Sequence, residues 1–326
     1  MHPGNSYDTT ALLTEISEKS GRDGKTFLEL SLSDGKSKIT ARKWDSKAGD
    51  LGFGRMSVVD LHLKVTEYNG AASFVADRLD LSGDTSLKVE DFIVKVPYDI
   101  EAMFSQLISL IEKSAEGDFE YAEGENTISE LTVNILTESK ERYCSWSAAK
   151  QLHHALYGGL LYHSYRMAYA AYLLKKIYKL ADRELLICGA ALHDVGKIYE
   201  LSSDYGTADY TNTGKKLGHA YIGMRMIEKE AEKGSYPEDR IEDLLHLIAS
   251  HHRYGEFGAI TYPISLEADL LHIIDEMDAR MYQYEDNLQK TTPGEFSQNK
   301  LYGLDNHSIY RPAYLTDELI LKRLKK

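Results

Sequence analysis

His193-Asp194-Val195-Gly196-Lys197 is the stretch from which the rest of the chain can be read. Just upstream, Asp182 is placed to cap a helix carrying Leu185, Leu186, Ala190 and Leu192, which delivers the His-Asp pair near its C-terminal end. Gly196 is expected to end that helix. Histidine and carboxylate are good ligands for a divalent cation. An adjacent pair can hold one ion through the imidazole while the carboxylate bridges to a second. Lys197, four residues after the histidine, sets a fixed positive charge beside such a centre, which suits a phosphate group. Matching residues flank the motif in order: His163 before it, then His219, His251-His252, Asp275 and Asp278 after it.

These flanking residues fall on separate helical segments, as ligands must if they are to converge inside a bundle. From about residue 99 the apolar spacing is helical, with Met103, Phe104, Leu107, Ile108 and Ile111 on one stripe. Thr127-Ile128-Ser129-Glu130 reads as a capping box. Pro237 starts a helix whose last turns hold His246 and His251-His252, and Leu266 to Met281 forms another. Asp275 and Asp278 lie three apart and share a helix face, so one can bind metal while the other forms an ion pair. The sequence leaves that choice open. His62, His246, His272 and His307 are expected outside the centre. Beyond Gln289 the tail is mixed, with Pro293-Gly294 and Arg311-Pro312 as breakers.

Residues 7–90 read differently. Phe27-Leu28-Glu29-Leu30-Ser31-Leu32 alternates apolar and polar before the Ser33-Asp34-Gly35 turn, and Lys38 to Trp44 follows as a second strand. Val58 to Val65 leads through Tyr68-Asn69-Gly70 into Ala72-Ser73-Phe74-Val75, a strong hairpin signal. About five short strands suit a small closed barrel of the OB type, a common single-strand binder. Phe27, Trp44, Tyr68 and Phe74 are candidates to stack bases, and Lys36, Lys38, Arg42 and Lys43 to track a phosphate backbone. The fold expected is therefore multidomain, β then α: an OB-like five-stranded barrel over 1–90, a helical connector over 91–150, an all-α metal-binding bundle over 151–290 and a tail over 291–326.

Composition narrows the classes. The formal net charge of −13 argues against indiscriminate nucleic-acid coating. The acidity is uneven, since residues 1–90 hold 12 Lys/Arg against 14 Asp/Glu and most of the excess lies in the helical part. No apolar run approaches the roughly 18 residues of a membrane span, and no secretory signal is visible. Cys144 and Cys188 are the only cysteines and form no Cys-x-x-Cys pair, so a reducing cytoplasm is the default expectation.

The α region, from His154 through Gly158-Gly159-Leu160-Leu161-Tyr162-His163 to Leu271-His272-Ile273-Ile274-Asp275-Glu276-Met277-Asp278, resembles the HD-domain superfamily of metal phosphohydrolases. That resemblance implies His163, His193, Asp194 and Asp275 as ligands of a primary metal. It implies His219 and His251-His252 at a second, with Asp194 bridging. Lys197 becomes the candidate for contacting phosphate or leaving group, with Arg253 and Lys216 as further phosphate contacts. An OB-like domain followed by an HD domain is similar to the YhaM family of 3′→5′ exoribonucleases, supported by Gly218-His219 and by Ser250-His251-His252 with Gly255 and Pro263 beyond. The family implies a cytoplasmic homo-oligomer that hydrolyses single-stranded RNA with one or two manganese ions. Iron, cobalt, zinc and magnesium also remain open, as does single-stranded DNA. Two other readings compete: a phosphodiesterase or phosphatase of small nucleotides, and a catalytically inactive nucleic-acid-binding protein.

Overall fold

Five strands, β1 (Ser6–Ser20), β2 (Thr26–Ser33), β3 (Lys38–Trp44), β4 (Ser57–Tyr68) and β5 (Ala71–Leu81), close into a barrel in the order β1-β2-β3-β5-β4. The computed structural model describes residues 3–21, 24–68, 71–116, 119–149, 154–204 and 207–324. It divides into two units, Met1–Lys95 and Val96–Lys326. Closure of the barrel depends on β1, which at 15 residues is longer than the short strands expected. Its first half pairs with β4 and its second half with β2, and the register shifts between Leu13 and Glu15. A bulge bends and twists a strand, so one strand can serve two neighbours. Parallel pairing of Ala41 with Phe74 and of Arg42 with Val75 joins β3 to β5 and completes the ring.

The alternation of residues 27–32 is realised directly. Leu28, Leu30 and Leu32 point into the barrel with Ala41, Leu61, Leu63, Ala76 and Leu79. Phe74 packs against this core and is therefore not on the outer, base-stacking surface expected of it. The Asn69-Gly70 turn lies outside the described residues, as does the side chain of Tyr68. The strands around that turn pair as the sequence predicts.

The second unit is helical: α1 (Ile100–Ser114), α2 (Ile128–Glu138), α3 (Lys140–Ser145), α4 (Gly159–Lys175), α5 (Arg183–Leu192) and α6 (Lys197–Glu200) come first. A hairpin of β6 (Leu201–Asp204) and β7 (Thr207–Tyr210) follows, an addition to the helix-only bundle read from the sequence. Then come α7 (Asn212–Leu217), α8 (His219–Ala231), α9 (Glu238–Ser250), α10 (Leu266–Lys290) and α11 (Asp317–Leu324). Caps set several starts. Asp182 accepts from Leu185 N, and Thr127 and Glu130 form the reciprocal capping box. The start of α5 is fixed further by Arg240, whose buried guanidinium donates to Asp182 and Glu184. α4, α5, α9 and α10 pack on one another through buried Leu161, Ile187, Leu247, Leu271 and Ile274. The tail is tied back as well: buried Arg311 donates to Leu288 O and Thr291 O at the end of α10.

Gly196 does not end α5. That helix stops at Leu192, and Gly196 has φ −61°, an ordinary right-handed value. A Cβ at this position would lie 2.0 Å from His219 O, so glycine is required because α8 begins against it. The same close approach brings His219 to the end of α5.

Candidate metal centre

Five segments meet around Asp194. α4 contributes His163, the end of α5 contributes His193 and Asp194, and the first residue of α8 is His219. His251 and His252 follow the last turn of α9, and Asp275 projects from α10. Asp194 is 2 % exposed, while His163 and His193 are fully buried, so the carboxylate and imidazoles are held away from solvent.

The hydrogen bonds made by the rings fix which nitrogen carries the proton. Nδ1 of His193 faces Ala190 O at 2.9 Å and Nδ1 of His251 faces Ile248 O at 2.7 Å. Nδ1 of His163 faces Asp278 Oδ2 at 2.8 Å and Nδ1 of His219 faces Glu200 Oε1 at 3.1 Å. Carbonyl and carboxylate oxygens only accept, so Nδ1 keeps its proton in all four rings and Nε2 is the nitrogen that offers a lone pair once the ring is neutral. Those Nε2 atoms converge. His163 Nε2 lies 3.1 Å from Asp275 Oδ1, and His193 Nε2 lies 3.2 Å from Asp194 Oδ2. His219 Nε2 lies 3.4 Å from Asp194 Oδ1, 3.4 Å from His251 Nε2 and 3.0 Å from His252 Nε2.

Three groups of possible ligands result among the described residues, one of which, His154, His163 and Asp278, is closed by its own hydrogen bonds and leaves two around Asp194. His163, His193 and Asp275 form one, and His219, His251 and His252 form the other, each with donor atoms within 4.8 Å of one another. Asp194 stands between them, with Oδ2 towards the first and Oδ1 towards the second. The Nε2 lone pairs of His219 and His251, facing each other at 3.4 Å, repel unless a cation lies between them. The buried His193 Nε2 and Asp194 Oδ1 also make no hydrogen bond among the described residues. The donor set therefore fits a pair of divalent ions.

Electrostatics agree. Burial and the neighbouring His252, His193 and His219 rings hold His251 well below the ordinary histidine range. Burial and His219 push His252 down to about 4, so both rings are neutral, the form that ligates. Burial alone would lower His163, but Asp275 and Asp278 outweigh it and push His163 up to about 9. Burial opposes ionisation of Asp194 as well, and Lys197 and His193 overcome it to hold the carboxylate well below its usual range.

Asp275 and Asp278 take opposite sides of one ring. Asp275 meets Nε2 of His163, and Asp278 meets Nδ1 while accepting from His154 Nε2 at 2.8 Å and from Arg166. The geometry thus gives Asp278 the alternative ion-pairing role. Glu200 does for His219 what Asp278 does for His163, accepting from both its backbone N and its ring. Glu200 and Arg166 carry no signal in the sequence, because each partner is remote along the chain.

The other expected residues divide. Lys197 Nζ donates to Asp194 Oδ2 at 2.6 Å and lines a cleft of about 760 Å³ together with Glu200, His219 and His252. Arg253 is ion-paired with Asp269 and lies over Tyr254 and Tyr262, and Lys216 is exposed on α7. On the barrel, Phe27 and Trp44 pack at 4.8 Å between centroids, with Arg42 about 6 Å from both rings. Lys38 is exposed on the same strand and Lys36 in the preceding turn. Lys43 instead donates to Asp77 O.

Residues 160–280 match the HD domain family, which defines the class of the helical unit. The whole chain is 32 % identical over 314 residues to the 3′-5′ exoribonuclease YhaM of Geobacillus sp. (strain WCH70), covering 95 % of this chain and 93 % of that one. It is 30 % identical over 313 residues to the YhaM exoribonuclease of Bacillus licheniformis, covering 95 % and 96 %. The chain belongs to the YhaM family. Over 26 % of its length the chain also matches the second OB-fold domain of replication protein A from Methanococcus maripaludis, at 18 % identity and TM-score 0.21 and covering 91 % of that chain.

Proposed function

We propose that this chain is a metal-dependent 3′→5′ exoribonuclease that hydrolyses single-stranded RNA to nucleoside 5′-monophosphates. One observation carries the reading: a buried carboxylate, Asp194, presents one oxygen to each of two imidazole clusters at the edge of an open cleft. His163, His193, Asp194 and Asp275 would hold one ion, and Asp194, His219, His251 and His252 the other. Bound there, two divalent ions acidify water and neutralise charge developing on phosphate oxygens. In the net reaction, water oxygen bonds to phosphorus, the bond to the preceding 3′ oxygen breaks, and that oxygen takes a proton.

The chain's own residues do the positioning. Glu200 and Asp278 orient the rings of His219 and His163 through their Nδ1 protons. Burial works against the charge on Lys197, but Asp194 keeps its ammonium protonated where it lines the cleft. It is thereby available to a substrate phosphate. Exposed Trp44 beside half-buried Arg42 on the barrel supports single-strand binding. Direction of attack and preference for RNA rest on membership of the family. Manganese as the working ion, a homo-oligomeric assembly and a cytoplasmic location belong to the same reading. Cys144 and Cys188, both buried free thiols, are compatible with a reducing compartment. No helix among the described residues is long and apolar enough to cross a membrane.

The test is a comparison of end-labelled single-stranded RNA, matched DNA and cyclic dinucleotides in manganese. Preferential shortening of the RNA supports the proposal. Exclusive turnover of cyclic dinucleotides supports a small-nucleotide phosphodiesterase instead, and binding without turnover of any substrate supports an inactive binder.

A further inference from the structure

Past His252 the chain exposes aromatic rings in unusual density. Tyr254 is 41 % exposed, Phe257 66 % and Tyr262 53 %, all within one loop that bends back on the candidate ligand. Tyr254 N donates to His252 O, and a Cβ on Gly258 would lie 3.7 Å from the His252 ring. The rings meet edge to face. Tyr254 contacts Phe257 at 6.1 Å between centroids with planes at 78°, and contacts Tyr262 at 5.7 Å and 89°. Arg253 lies over Tyr254 and Tyr262, so Phe257, the most exposed of the three, is the ring whose face is left open to a ligand.

The cleft beside the metal centre supplies the place for that ligand. Phe257 lines it together with Tyr210 from β7 and Tyr221 from α8, both nearly half exposed, while Lys197, His219 and His252 line the metal side. A space of about 760 Å³ with aromatic walls and a cationic, metal-binding floor matches the amphiphilic chemistry of a nucleotide, flat base at one end and phosphate at the other. We propose that Phe257, assisted by Tyr221 and Tyr210, forms the subsite that stacks the base of the 3′-terminal nucleotide. This rests on the nucleic-acid hydrolysis proposed above and adds to it a recognition element inside the catalytic unit. Stacking is tolerant of base identity, because every base presents a π face, so the subsite admits all four terminal nucleotides.

A cycle of substitutions in protein and substrate tests it. Phe257→Ala should raise KM for a short RNA about 5- to 150-fold, the range of one lost base stack, with a much smaller change in kcat. An RNA whose 3′-terminal nucleotide is abasic should show a similar rise with the parent protein. Combining the two should add nothing further, because both remove the same contact. Phe257→Trp should restore the KM, and Phe257→Leu should not, since it returns apolar bulk without a π face. Equal penalties for Phe257→Ala on normal and abasic RNA would overturn the proposal. So would full rescue by leucine, which would mark the loop as a packing surface or a contact with a second copy of the chain. The same cycle read as binding affinity on an Asp194→Ala background still reports the subsite if the parent shows no hydrolysis, so the two failures are distinguishable.

Discussion

Replacing Asp278 with asparagine separates the acid proposed to orient His163 from Asp275, the acid proposed to ligate. Three donors converge on the Asp278 carboxylate: His163 Nδ1 and His154 Nε2, both at 2.8 Å, and Arg166 Nε. Burial opposes its charge, and hydrogen bonds from His154 and His163 overcome that to hold it far below the usual carboxylate range. Asparagine keeps one acceptor oxygen but turns an N–H towards a site where only donors wait. His163 then loses the partner that fixes its Nε2 towards Asp275 and Asp194. Loss of such an outer partner typically weakens metal binding 10- to 100-fold, or about 1.4–2.7 kcal/mol. Calorimetric titration of the metal-stripped protein with manganese should show this loss in one of two binding events. The event assigned to His219, His251 and His252 should change little, and Asp275→Asn should abolish the first event altogether. Unchanged affinity in Asp278→Asn would refute the orienting role. Complete loss in Asp278→Asn with retention in Asp275→Asn would show that the two acids have been assigned the wrong way round.

Other consequences can be measured on the same protein. Because Asp275 and Asp278 push His163 up to about 9, the metal-free ring is protonated at neutral pH and must shed its proton to bind metal. Manganese affinity should therefore rise between about pH 6.5 and 9, with a proton released on binding at pH 7, whereas pH-independent affinity across that window would contradict the assignment. The sign for stability is the reverse: a raised folded pKa stabilises the metal-free protein fully below about 6.5, and that contribution should fade as pH rises through about 9. Arg240→Ala strips the partner from buried Glu184 and from the cap Asp182, and should cost about 3–5 kcal/mol in denaturant unfolding; a loss under about 1 kcal/mol would mean the network is solvated. Substituting Lys36, Lys38, Arg42 and Lys43 together should weaken long-RNA binding and flatten its salt dependence, and a parent-like salt series would assign binding to another surface.

Much of the centre was legible because His193-Asp194 and its flanking histidines and acids follow the order of the HD-domain pattern, and the starts at Asp182 and Pro237 and the apolar run 270–274 set several of them on separate helices. The choice between Asp275 and Asp278 was not, since residues three apart share a face and only tertiary packing decides which nitrogen of His163 each one meets. Glu200 was one acid among 51 Asp and Glu until α8 was docked against it. Gly196 shows how a local rule is overridden: glycine after a helix suggests a left-handed cap, but here the approach of His219 O requires it. In the barrel, Phe27 to Leu32 alternates cleanly and its faces could be assigned. Phe74 could not be assigned in the same way, because Ala72-Ser73-Phe74-Val75 has no clean alternation. The register shift beside His62 and Leu63 also breaks any count made from the hairpin.

The most direct test of the whole account follows 5′-labelled single-stranded RNA with time in manganese, with the parent protein, with chelator and with Asp194→Ala. Asp194 is the proposed shared ligand, so its loss should disable both metal positions while leaving the helices folded. The account predicts a ladder of 5′-labelled products shortening one nucleotide at a time with the parent, and intact RNA in the other two reactions. Immediate release of the labelled 5′ nucleotide, cleavage of a circular RNA, or an unchanged ladder in chelator would contradict it.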